Sequence, residues 1–151
     1  MRLLFVFFLI LLLLLSTASS TQAQDINVHF MIGKKQSQVI QKYGNPVHQD
    51  NSNPAMLCMF YQSRSSRMIF VANNKGVYQS EASKTFNTKE DALEDLDACI
   101  SKSIAEGYSV DSVTTSDFRL HAIGVKADLQ MSENKLSNKF EIKMKATRTE
   151  D

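Results

Sequence analysis

Three patterns in this chain predict an α+β fold, an antiparallel sheet of about five to six strands with one short and one long helix packed on it. The first is a continuous apolar stripe at helical spacing, formed by Ala92, Leu93, Leu96, Cys99, Ile100 and Ile104, with Glu90, Glu94, Asp97 and Lys102 around it. The second is strict alternation near the C-terminus, where Phe140, Ile142, Met144 and Ala146 interleave with Glu141, Lys143, Lys145 and Thr147. A strand of that kind buries one face and wets the other. The third is Asn73-Asn74-Lys75-Gly76 between two strand-like runs, a hairpin signal because Asn and Gly reach positive φ at little cost.

The elements follow in order. Arg2 precedes an unbroken apolar run over residues 3–15 and a small, polar stretch over 16–23. That order predicts a secretory signal peptide over 1–23, since 13 apolar residues fall short of the roughly 20 that a spanning helix needs. The expected mature chain, 24–151, is a single exported domain, periplasmic or secreted, with no transmembrane segment. No cysteine stands at the cleavage region, so no lipid anchor is expected. Residues 24–32 place Ile26, Val28 and Phe30 in alternation, as in an edge strand or an ordered arm. Gly33 opens a short helix over 34–43 with Val39, Ile40 and Tyr43 on one face; Gly44 caps it and Pro46 prevents its resumption.

Residues 48–54 read as a polar loop, followed by strands over 56–61, 67–72 and 77–82, the last two joined by the turn at Gly76. Asn87 or Thr88 caps the long helix, with Glu90 or Asp91 three residues on, and Gly107 ends it. Strands are expected over 108–113 and 118–131, the second slipping in apolar phase beside Gly124, which reads as a bulge or a break. The last strand is 140–147. Helix, three strands, helix, three strands has the rhythm of a tandem repeat, although the halves share no residue pattern that aligns.

Composition narrows the function. Once Arg2 leaves with the leader, 16 basic residues balance 16 acidic ones, which argues against a nucleic-acid binder. Cys58 and Cys99 form an even pair in an exported chain, and both fall at positions read as inward-facing. A disulfide between them would close a loop of about 42 residues and stabilise the fold by about 4 kcal/mol; two buried free thiols are the alternative. No C-x-x-C motif supports redox chemistry.

The histidines are His29, His48 and His121. His48 with Asp50 offers too few ligands to hold a metal, and His121, near Arg119 and Asp117, lacks a nucleophile motif beside it. No paired carboxylates, phosphate loop or nucleophile elbow is readable, so no catalytic residue, metal or cofactor is expected. What remains is a non-catalytic module that binds an envelope or extracellular protein. Aromatic and arginine side chains dominate such surfaces, which singles out Tyr61, Arg64, Arg67 and Tyr78. The rival readings are a carrier of small apolar ligands, with Met56, Met59, Met68 and Phe70 lining its pocket, and a secreted enzyme inhibitor.

Residues 30–82 resemble the small outer-membrane lipoprotein domain of the SmpA/OmlA (BamE-like) type. The matching pieces are Ile32-Gly33 leading into the helix with Val39, the Tyr43-Gly44-Asn45-Pro46 stop, and the strands around Asn73-Asn74-Lys75-Gly76-Val77. The resemblance implies an envelope protein that binds other proteins and performs no reaction. It covers 53 of the 128 expected mature residues, and the residues from Thr88 onward are additional to it.

Overall fold

The computed structural model describes residues 25–150; the leader expected over 1–23 lies outside the described residues. Two helices, α1 (Gln36–Tyr43) and α2 (Lys89–Ala105), accompany eight strands: β1 (His48–Asp50), β2 (Leu57–Gln62), β3 (Ser66–Asn73), β4 (Gly76–Phe86), β5 (Ser109–Ser112), β6 (Asp117–Ala122), β7 (Val125–Asn134) and β8 (Lys139–Arg148). All eight join one antiparallel sheet in the order β1-β2-β3-β4-β8-β7-β6-β5. The class is α+β as expected, but the strand count is higher, for two local reasons. Residues 48–50, read as loop, are drawn onto the edge of β2 with His48 opposite Phe60. The run 118–131 breaks at Ile123-Gly124, where Gly124 takes φ +72° and turns the chain into two strands.

The observed order is helix, four strands, helix, four strands, so each helix is followed by a four-stranded meander. The meanders meet through their last strands, β4 against β8, and the sheet reads the same outward from that seam in both directions. The chain is thus a topological tandem, as the element rhythm suggested.

Alternation assigns the two faces. Met59, Tyr61, Met68, Phe70, Ala82, Met144, Leu129 and Leu120 point to one face and are buried there. Val39 from α1 and Ala92, Leu96 and Cys99 from α2 join them in a single core. The Thr88 hydroxyl accepts from the Asp91 N–H (3.2 Å), fixing the start of α2 as a cap. Lys84 of β4 reaches Asp95 of α2 at 3.0 Å and ties helix to sheet.

The third cover on this face is the arm, residues 25–32. It is not an edge strand: Val28–Met31 form a 3-10 turn that lies against β4 and β8, over the seam between the two meanders. Ser80 donates to the Val28 carbonyl (3.1 Å), Gly33 N–H to the Val77 carbonyl (2.8 Å), and Val77 N–H to the Lys34 carbonyl (2.8 Å). Gly76 is required at this crossing. A Cβ there would sit 2.8 Å from the carbonyl oxygens of Gly33 and Lys34, and its φ is +106°.

Candidate functional site

Among the described residues no helix lies on the opposite face of the sheet, and that face's residues fall into cross-strand rows. One row runs Phe60, Ile69, Glu81, Lys145, Asp128, Arg119, Asp111. The next runs Cys58, Val71, Gln79, Thr147, Lys126, His121, Ser109. From β4 to β5 the first row alternates strictly in sign, which is the arrangement in which directly opposed side chains attract. Lys145 lies 3.4 Å from Glu81, and in the same half His121 lies 3.7 Å from Asp111. At β2 and β3 the charges stop. Cys58, Phe60, Ile69 and Val71 form a half-buried apolar patch, and His48 of β1 lays its ring against Phe60 at 5.5 Å. A groove beside the patch is lined by Arg67, Ile69, Glu81, Ser83, Lys143 and Lys145. Of its three cations, Lys145 pairs with Glu81 and Lys143 with Glu141 (3.1 Å), which leaves Arg67 as the one at the groove without an ion pair among the described residues.

The sequence-predicted residues separate across the sheet. Arg67 is exposed at that groove and Arg64 is exposed in the turn before β3. Tyr78 is half-buried in β4 beside the register shift at Val71/Ala72. Tyr61 is not a surface residue: it is 3% exposed on the helix-covered face, its ring packs on Tyr43 and Phe70, and its hydroxyl donates to the Gly44 carbonyl (3.0 Å). It anchors the end of α1, where Gly44 caps the helix by donating to the Ile40 carbonyl (2.8 Å).

The expected Cys58–Cys99 disulfide is absent, and both thiols are free. Cys58 lies on the uncovered face, whereas Cys99 lies in α2 on the covered one, so the sheet separates them. Burial pushes the Cys99 thiol up to about 12, with Asp25 and Asp95 adding to the shift, which makes it a poor nucleophile.

A second polar cluster lies on the covered face, and no sequence pattern marks it as a unit. Cys99 donates to Asn27 Oδ1 (3.1 Å), and Asn27 hydrogen-bonds to Asp25 through both its backbone and side-chain nitrogens. Asp25 pairs with Lys102 of α2 (2.9 Å). Burial pushes the Asp25 carboxyl up, but the hydrogen bonds from Asn27 and Lys102 outweigh it and hold the group below its usual range. His29 Nε2 meets Ser103 Oγ at 2.9 Å, and that hydroxyl donates to the Cys99 carbonyl (2.8 Å), leaving the imidazole as the donor in the first bond. Serine and histidine here build no nucleophilic dyad, because the serine proton is committed to a helix carbonyl. Among the described residues no group of three or more His, Cys, Asp or Glu could hold a metal ion, and no helix is long and apolar enough to cross a membrane.

No protein-family description matches the chain, and no curated protein matches it. Among solved structures, the chain is similar to an extracellular protein containing a SCP domain from Bacillus anthracis, with 10% identity, TM-score 0.43 and 85% of this chain covered. It is also similar to a cysteine-rich secretory protein from Staphylococcus aureus, with 10% identity, TM-score 0.44 and 78% covered. The matches take in 48% and 45% of those proteins, so this chain spans about half their length.

Proposed function

We propose that the protein is an exported, non-catalytic binding module, periplasmic or secreted, that docks a partner protein on the β2–β3 half of its uncovered sheet face. The observation that carries this reading is the change along the face from a self-neutralising charge ladder to an apolar patch. Opposite charges that satisfy one another leave little for a partner, whereas apolar side chains flanked by polar groups favour burial by one. Arg67 at the groove sets the partner's chemistry: an apolar side chain to cover Ile69 and Val71, with an acidic residue beside it. The leader expected over 1–23 and the BamE-like resemblance of residues 30–82 support the compartment and the binding role. An enzyme target would make the module a secreted inhibitor without changing this surface. The carrier reading loses its pocket lining, because Met59, Met68 and Phe70 are packed in the core and Met56 stands outside it.

A photo-crosslinking residue at position 60, compared with one at position 130 on the charged half, tests the proposal in cells that export the protein. One dominant crosslinked protein from position 60, reduced at least tenfold by Ile69→Glu, is expected. Equal yields from the two positions, or a yield indifferent to Ile69→Glu, would overturn it.

A further inference from the structure

His29 takes no part in that surface, being on the covered side of the sheet. Its side chain is 0% exposed, with the Phe30 ring 4.1 Å away and the Tyr108 ring edge-on at 4.9 Å. Nε2 donates to Ser103, and Nδ1 has no hydrogen-bond partner among the described residues. The charged groups around it are Asp25 on the arm itself, Lys42 on α1 and Lys102 on α2, with Glu106 facing Lys42. The nearby Cys99 thiol and Tyr108 phenol are neutral, both raised above their ordinary values by burial first. Asp25, the one carboxylate acting on the ring, is already engaged by Lys102 and Asn27. An imidazolium in this place would carry a second N–H aimed at no acceptor, with two ammonium groups near it and little water.

The arm's attachment to the sheet is separable from the sheet's own pairing. β4 pairs with β8 over Gln79–Phe86, whereas the arm meets β4 through a side-chain bond, from the Ser80 hydroxyl to the Val28 carbonyl, and the backbone bonds of Gly33 and Lys34, which follow the arm, are made at Val77 beyond that ladder. Detaching the arm therefore breaks no β4–β8 hydrogen bond. We propose that residues 25–32 form an acid-released strap: proton uptake by His29 lifts the arm off α2 and the β4–β8 seam while the eight-stranded sheet stays paired.

The direction follows from burial, which lowers His29 from its ordinary 6.5 to about 4; the Asp25 charge opposes the shift, and Lys42 and Lys102 add to it. The docked arm holds neutral imidazole, and the released arm holds imidazole with its ordinary affinity for protons. Docking is therefore undiminished above about pH 6.5, weakens about tenfold per pH unit below it, and levels off for this group near pH 4.

Hydrogen exchange of the exported protein, read by mass spectrometry at pH 7 and pH 4.5 and corrected for intrinsic rates, tests this. Amides of the arm are expected to lose roughly sixtyfold in protection, with β4 and β8 unchanged. The His29→Gln variant keeps a donor for Ser103 and cannot titrate, so its arm protection should not respond to pH. Arm protection equal at both pH values, arm and sheet protection lost together, or the same response in His29→Gln would each overturn the strap. Should that variant fail to fold, NMR titration of the wild-type imidazoles decides. The proposal requires His29 to titrate well below the ordinary 6.5 and together with the arm's amide shifts, and a His29 that titrates at 6.5 would sink it.

Discussion

The two meanders share a topology and differ in what they do with it. In the first, α1 has eight residues and one fully buried side chain, Val39, and its last residue, Tyr43, packs on the Tyr61 and Phe70 rings of the sheet. In the second, α2 has 17 residues and buries Ala92, Leu96, Cys99 and Ser103 against smaller aliphatic strand residues. Bulk moves from sheet to helix between the halves. The uncovered face shows the same division: apolar over β2–β3, charged from β4 to β5. The two halves therefore present different chemistry on one continuous face.

Deleting the aromatic filling should produce the largest loss. Phe70→Ala is expected to cost about 3–5 kcal/mol, seen as a lower denaturant midpoint with unchanged slope. A comparable loss from Leu129→Ala, about 2–5 kcal/mol, would show that the halves unfold as one unit. Separate transitions would show two. Gly76→Ala comes next, at about 2–4 kcal/mol from positive φ and the overlap with the Gly33 and Lys34 carbonyls. Lys145→Glu would set like charges against both Glu81 and Asp128 and should cost roughly 0.5–1 kcal/mol by thermal melting, diminishing with added salt. The smallest change is expected from reduction: with Cys58 and Cys99 on opposite faces, a reducing agent should leave Tm where it was. Thiol labelling should then modify Cys58 in the folded protein and reach Cys99 only on unfolding.

The elements that could be read from sequence were those whose pattern is self-contained. The stripe of α2, the alternation of β8 and the Asn-Asn-Lys-Gly turn each state their own burial. β2 does not, because apolar residues occupy both of its faces. Period-two spacing cannot say which side carries Tyr61 and which carries Cys58, and both were misplaced for that reason. β1 is polar and three residues long, so only the neighbouring edge makes it a strand. The charge ladder exists only in the register, joining residues as distant as Glu81 and Asp111. His29 gave one signal that was available, an apolar flank on each side in Val28 and Phe30, but its partner Ser103 lies 74 residues away.

The innermost position of β8 has a consequence for biosynthesis. Among the described strands β8 comes last in chain order, yet it is the one that links β5–β7 to β1–β4 within the sheet. Until residues 139–148 leave the ribosome, the central seam cannot form and the arm has only half of its floor. Closure of such a sheet waits for contacts far apart in the chain, which fold slowly. The seam beneath the arm is therefore the part of the sheet whose closure waits longest on the chain.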